Sequence, residues 1–135
     1  MTPVDTTTKI ISHEIIVQNI FDYTCHIFKM NQLRLRLMQR QGSVNTKRSY
    51  VLGHTSLRTG VVTLDIYTAR KRTPKKISAI LSVLAHEIAH HQKPPYRQWH
   101  RGRWIIRQHY PDFYCQVNKN IYIMKKDALL GRYFI

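Results

Sequence analysis

Two histidines and a glutamate carry the most specific chemistry in the chain. His86, Glu87 and His90 stand in the order H-E-x-x-H inside the stretch Ser82-Val83-Leu84-Ala85-His86-Glu87-Ile88-Ala89-His90-His91. On an α-helix, residues four apart lie one turn above each other on the same face. Two imidazoles so placed can grip one metal ion, and a carboxylate next to the first can reach a water on that ion. The chemistry this permits is hydrolytic. The carboxylate takes a proton from the water while the metal polarises the carbonyl under attack. On a helical wheel, Ile77, Ile80, Leu81, Leu84 and Ile88 gather into one core-facing stripe. His86 and His90 fall almost opposite, in company with Ala79 and Val83. A helix with two such faces is expected to be covered on both sides, with a metal in the floor of a cleft.

A catalytic zinc site takes three protein ligands and keeps a fourth position open. No glutamate follows Glu87, so a third ligand from a later Glu is excluded. A pattern with Gly and His at fixed places after the motif fails too, because Lys93 and Tyr96 stand there. His91, His100, His109, Asp112 and Asp127 remain. His91 lies about 100° round the helix from His90 and should point elsewhere. His100 follows a Pro94-Pro95 turn able to fold the chain back and is the preferred ligand, with His109 and Asp112 as the alternatives.

The elements that must position these groups can be read in order. Residues 1–9, with Pro3 and three threonines, read as a flexible lead-in. From Ile10 to about Met30, Ile11, Ile15, Ile16, Ile20, Phe21, Ile27 and Phe28 recur at helical spacing and predict an amphipathic helix. Gln32 to Arg40 alternates leucines with polar residues and predicts a strand with one buried face. Gln41 to Asn45 reads as a loop and Ser49 to His54 as a second strand. Val61 to Tyr67 is a third strand, expected to offer an open edge to a peptide. Thr73 and Pro74 suit the N-cap and first position of the metal helix, which Pro94-Pro95 closes after Gln92. Trp104 is expected in the core against that helix, and Tyr96 and Trp99 at the surface. Residues 112–135 allow a helix, or a strand at Ile121-Tyr122-Ile123. The apolar Leu129 to Ile135 should pack on the body, with occupation of the cleft as the alternative.

Composition bounds the rest. The 135 residues suffice for one domain with its own core. Lys and Arg number 22 against 7 Asp and Glu, a net charge of +15. Such an excess points to polyanions, nucleic acid before an anionic membrane surface. Between Ile66 and Pro111 the only acidic residue is Glu87. Arg70, Lys71, Arg72, Lys75, Lys76, Arg97, Arg101 and Arg103 fill the same stretch and are the candidate nucleic-acid contacts. Several cations at a helix start oppose its dipole, which favours an anionic ligand there. Cys25 and Cys115 form no C-x-x-C pair, so a zinc ribbon or disulfide framework is excluded. No secretory signal or membrane span is readable. The expectation is an intracellular protein, cytoplasmic or associated with the nucleoid or nucleus.

The stretch Val83 to His90, then His100-Arg101-Gly102-Arg103-Trp104, then Tyr110-Pro111 resembles the SprT-like and YgjP-like zinc metallopeptidases. Gly60 to Ile66 is similar to their strand before the metal helix, and the match spans roughly residues 50–115. Gly102 stands one place later than the family's His-Gly, and their C-terminal zinc-binding or partner-binding module is not found. The resemblance implies Zn2+ on His86, His90 and His100, with Glu87 as general base. It implies hydrolysis of a protein or peptide substrate, in some members one bound or crosslinked to DNA. The expected fold is α+β and zincin-like over residues 1–135. It would comprise an N-terminal helix, a small three-stranded sheet, the H-E-x-x-H helix and a following helix carrying the third ligand. Two rival functions share these residues. One is a basic nucleic-acid-binding module with a structural or inactive zinc site; the other is a regulatory protease that cleaves a repressor.

Overall fold

The computed structural model describes residues 6–38 and 52–135, with side chains from residue 12 onward in the first helix. That helix, α1, spans Thr6–Ile27, so residues 6–9 belong to it and not to a lead-in. Its buried line is His13, Val17, Ile20, Phe21, Thr24 and Cys25, successive turns of one face. Ile15 and Ile16, read as core from their spacing, are instead exposed. Burial carries the Cys25 thiol to about 12, aided by Asp22, which keeps it protonated and inert.

Three short strands follow: β1 (Arg34–Leu37), β2 (Gly53–Thr55) and β3 (Val61–Leu64), in the order β1-β3-β2. β1 runs parallel to β3 and β2 antiparallel. The alternation read in β1 is present, with Arg34 and Arg36 exposed and Leu35 and Leu37 half-buried. β3 is therefore the central strand, with Val62 and Leu64 fully buried. The expectation of an open edge there is corrected: the edge facing the metal helix belongs to β2. The loop read at 41–45 and the start of the second strand at 49–51 lie outside the described residues.

The helix α2 spans Ile77–Gln92. Pro74 forms a β-bridge with Tyr67, so Thr73 is not its cap, and Lys76 precedes the first turn without a side-chain cap. Ile80, Leu81, Leu84 and Ile88 are buried against the sheet, as their spacing requires. Beyond α2 the chain forms a hairpin, β4 (Tyr96–His100) and β5 (Arg103–Arg107), a second sheet of its own. No helix carries His100. The hairpin turns on Arg101 and Gly102, both at positive φ (51° and 81°), the mirror-image turn that matches strand twist. Trp104 lies on this hairpin, 57% exposed, and is not core.

The last helix, α3, spans Pro111–Lys126, with Pro111 at its start, Asp112 in its first turn and Lys125 and Lys126 in its last, an arrangement that suits its dipole. It lies antiparallel on α2. Phe113 meets His90, Asn120 meets Ala85, and Lys125 shares a cavity with Ser78. The chain ends in a 3-10 turn, Gly131–Phe134. Leu130 is fully buried, and Asp127 accepts from the amides of Leu129 and Leu130 and from Tyr23 of α1. The tail thus packs on the body, at the α2 end away from the histidines. Among the described residues this is a small α+β fold of three α-helices and two small sheets. No described helix is long and apolar enough to cross a membrane.

Candidate metal centre

His86 and His90 stack one turn apart on α2, their ring centroids 4.9 Å apart. The chain then leaves through the hairpin and returns just before α3, and the residue it brings back is His109. Its ring lies 5.2 Å from that of His86 and 4.9 Å from that of His90, which closes a nearly equilateral triangle. One ligand nitrogen from each ring lies within 4.8 Å of the other two. Around a tetrahedral ion with metal–nitrogen bonds of about 2.05 Å, neighbouring ligand atoms are about 3.3 Å apart. The His90 and His109 Nε2 atoms stand at 3.2 Å, close to that edge. The residues present therefore fit a metal ion.

Behind the triangle sits Phe113, fully buried, its ring 4.9, 4.5 and 5.1 Å from those of His86, His90 and His109. In front is a cleft of about 320 Å³ lined by Gly53, His54, Thr55, Leu57, His86, Glu87, His90, Pro95, Gln108 and His109. Phe113 closes one side and the cleft opens the other, so a bound ion would keep an accessible position. A larger cavity of about 640 Å³ lies at the start of α2, between Lys76, Ser82, Lys125 and Phe134, and none of the histidines lines it.

Electrostatics favour the protonation states such a site needs. Burial lowers the pKa of His86, and the His109 charge adds to the effect. Burial, followed by His86, His109 and His91, brings His90 down to about 4. The lowered values favour the neutral imidazole, the form that can bind a metal. Glu87, only 4% exposed, is pushed up to about 7 by burial. A carboxylate titrating there is poised to accept and return protons.

Two sets of contacts fix this geometry. His91 points the other way, as its position on the helix requires, and its Nε2 lies 2.6 Å from Thr55 Oγ1, tying α2 to β2. Gly53 makes the approach possible. A Cβ there would lie 3.0 Å from Leu64 Cδ2, the Thr63 carbonyl oxygen and Val83 Cγ1. On the other flank Asn120 donates to the Ala85 carbonyl (3.1 Å) and to Gln92 Oε1 (2.7 Å), and accepts from Gln116 (2.9 Å). Tyr110 donates to the Pro94 carbonyl, which holds the base of the hairpin closed. Pairing of β2 with β3 runs through Leu52, His54 and Ser56. By the alternation of antiparallel ladders, the amides and carbonyls of Gly53 and Thr55 then turn to the outer edge, beside the cleft.

The structure brings together His86, Glu87 and His90 of the sequence-predicted site and leaves His100 out. His100 lies exposed at the far end of β4, paired with Arg103 at the hairpin tip, and His109 stands where a third ligand is needed. Asp112 is exposed in the first turn of α3, and Asp127 is engaged by Tyr23. Phe113 carried no signal in the sequence, since an aromatic at a helix start reads as core.

The basic candidates divide into two groups. Arg72 forks onto Asp65, both contacts at 2.9 Å, and Lys75 Nζ donates to the Asp65 carbonyl. Burial raises the Asp65 pKa, but the hydrogen bonds and charge of Arg72, with Tyr67 NH and Lys75, outweigh it and hold the carboxyl below its usual range. Arg70, Lys71 and Lys76 are exposed. Lys76 stands ten residues before His86, about 15 Å along the helix, so this loop does not rim the cleft. Arg97, Arg101 and Arg103 are exposed on the hairpin, whose base at Pro95 and Gln108 does line it. Comparison of the chain with protein-family models, curated proteins and solved structures finds no match.

Proposed function

We propose that this chain is a zinc-dependent endopeptidase with a zincin-like site on His86, His90 and His109. The observation that carries the reading is a buried carboxylate, Glu87, lining the same cleft as three imidazoles with converging nitrogens. Three nitrogen donors and one open side suit zinc among common ions. Zinc held there would supply a Lewis acid for the scissile carbonyl and make a water acidic near neutrality. Glu87 would serve as the general base, accepting a proton from water and giving it to the leaving nitrogen, a role its pKa of about 7 supports. The outer edge of β2 offers the Gly53 and Thr55 amides and carbonyls to an extended substrate, which would add as a strand and pass the histidines.

Phe113 packs against all three imidazole rings and does not line the cleft, so an ion they held would stay reachable from the cleft. A purely structural site would more often be closed by a fourth protein ligand. The two free cysteines, Cys25 buried and Cys115 exposed, accord with an intracellular setting. Proteins bound to DNA are the substrate class best matched to the net charge of +15.

The test is digestion of casein by zinc-loaded protein beside Glu87→Gln. Removing the base should lower turnover by about 10²–10⁴-fold while zinc stays bound. Equal cleavage by the variant, or no zinc-dependent cleavage by the wild type, would contradict the proposal.

A further inference from the structure

The hairpin β4–β5 presents a surface the cleft chemistry does not use. Cross-strand pairing sets Arg97 opposite Ile106 and Trp99 opposite Trp104, so these four side chains share one face. Trp99 is 59% exposed, Trp104 57% and Ile106 66%. The two indoles meet edge to face at 5.4 Å, and the Arg97 guanidinium lies 5.1 Å over the Trp104 ring. Two adjacent exposed tryptophans on one face form a patch of the kind that marks an interaction site. Its chemistry is that of aromatic faces with an arginine laid on them. Arg101 stands in the turn beside this face, Arg103 and Arg107 project from the opposite face of the hairpin, and no acidic residue occurs from Ile88 to Pro111.

We propose that this hairpin face binds single-stranded nucleic acid, with unpaired bases stacking on Trp99 and Trp104 and phosphates drawn to Arg97 on the same face and Arg101 at the turn. Charge complementarity selects a polyanion, because a stretch without a carboxylate repels cationic partners and attracts phosphate. The indoles select a single strand within that class. Base faces are available for stacking there and hidden inside a duplex. An arginine already lying on one indole is the arrangement that cation–π contact adds to such platforms. Position adds a consequence. The hairpin springs from Pro95 and Gln108 on the cleft rim, and five residues of strand carry its tip about 16 Å outward. A nucleic acid held there would lie beside the cleft. The binding proposal stands on the hairpin alone and survives if the peptidase reading fails.

Trp99 and Trp104 are the only tryptophans in the chain, so emission excited at the red edge of the indole band, where the eight tyrosines do not absorb, reports on this face. Titration of the full chain with short oligothymidine or oligouridine should quench that emission, with affinity falling steeply as salt rises. The tighter of the two names the source as DNA or RNA. By anisotropy of a labelled oligonucleotide, Trp99→Leu and Trp104→Leu should each weaken binding about tenfold, although leucine keeps the surface apolar. Arg97→Gln should lower the slope of affinity against salt by about one phosphate contact. Circular dichroism of each variant should match the wild type, since all three side chains are exposed. Absence of quenching, or wild-type affinity in the Trp99→Leu/Trp104→Leu double variant, would overturn the proposal. So would a blue shift with phosphatidylglycerol vesicles alongside no response to either oligonucleotide, which would make the face a lipid contact.

Discussion

Asn120 offers a quantitative test of how the second flank of the site is held. It is fully buried, donates to the Ala85 carbonyl and to Gln92 Oε1, and so bolts α3 to α2 on either side of His86 and His90. Asn120→Ala removes both donors. Each net hydrogen bond contributes about 1 kcal/mol, and the space vacated adds a further share, for a loss of about 2–3 kcal/mol. Urea denaturation should show this as a lower midpoint with an unchanged slope. Asn120→Asp keeps the shape but sets a carboxylate against the Ala85 carbonyl. Gln92 can turn its amide to donate; the backbone carbonyl cannot. The folded state therefore raises the pKa of the new carboxyl above its unfolded value near 4. A raised acid pKa means the folded state binds more protons between the two values, so stability falls as pH rises through that window. The Asp variant should be less stable than the Ala variant at pH 7 and recover towards it in acid. A loss below about 0.5 kcal/mol for Asn120→Ala, or a pH-independent deficit for Asn120→Asp, would refute the reasoning.

Other consequences follow from the remaining contacts. Arg72→Gln leaves the Asp65 carboxylate buried without its fork and should cost about 3 kcal/mol at neutral pH. Because the folded pKa of Asp65 is depressed, that stabilisation is present above its unfolded value and disappears as pH falls through the folded one. Chemical denaturation across pH should thus show wild type and variant converging in acid, and parallel curves would contradict it. Gly53→Ala drives a methyl to 3.0 Å from the Thr63 carbonyl, which the sheet holds in place, and should cost about 1–3 kcal/mol in a thermal melt. An unchanged melting temperature would show that β2 and α2 are less tightly apposed than described.

The metal helix was legible because two independent signals coincide in it. The apolar stripe from Ile77 to Ile88 fixes its buried face, and His86 and His90 then fall together by helical period alone. The third histidine of the cluster, His109, was legible only as an alternative to His100, because the choice depends on the path between the helices. The Pro94-Pro95 turn suggests a chain folded back into a helix that carries His100 over the motif. Yet Arg101-Gly102, between Trp99-His100 and Arg103-Trp104-Ile105-Ile106, carries a hairpin signal, a two-residue turn with Gly flanked by aromatic and β-branched residues. A hairpin carries His100 out to its tip and returns the chain at Gln108 and His109. Proline at the start of α3 then fixes where that return ends. The place of β3 in the sheet was equally hidden. Its β-branched run identifies a strand, but a fully buried run could equally have been read as the centre, which is where β1 and β2 flank it.

Zinc titration of the metal-free protein, read beside His109→Ala and His100→Ala, bears most directly on the centre itself. The wild type and His100→Ala should take up zinc with equal affinity, and His109→Ala should lose at least about 100-fold, more than outer-shell changes cost. Retention of zinc by His109→Ala together with its loss from His100→Ala would contradict the site described.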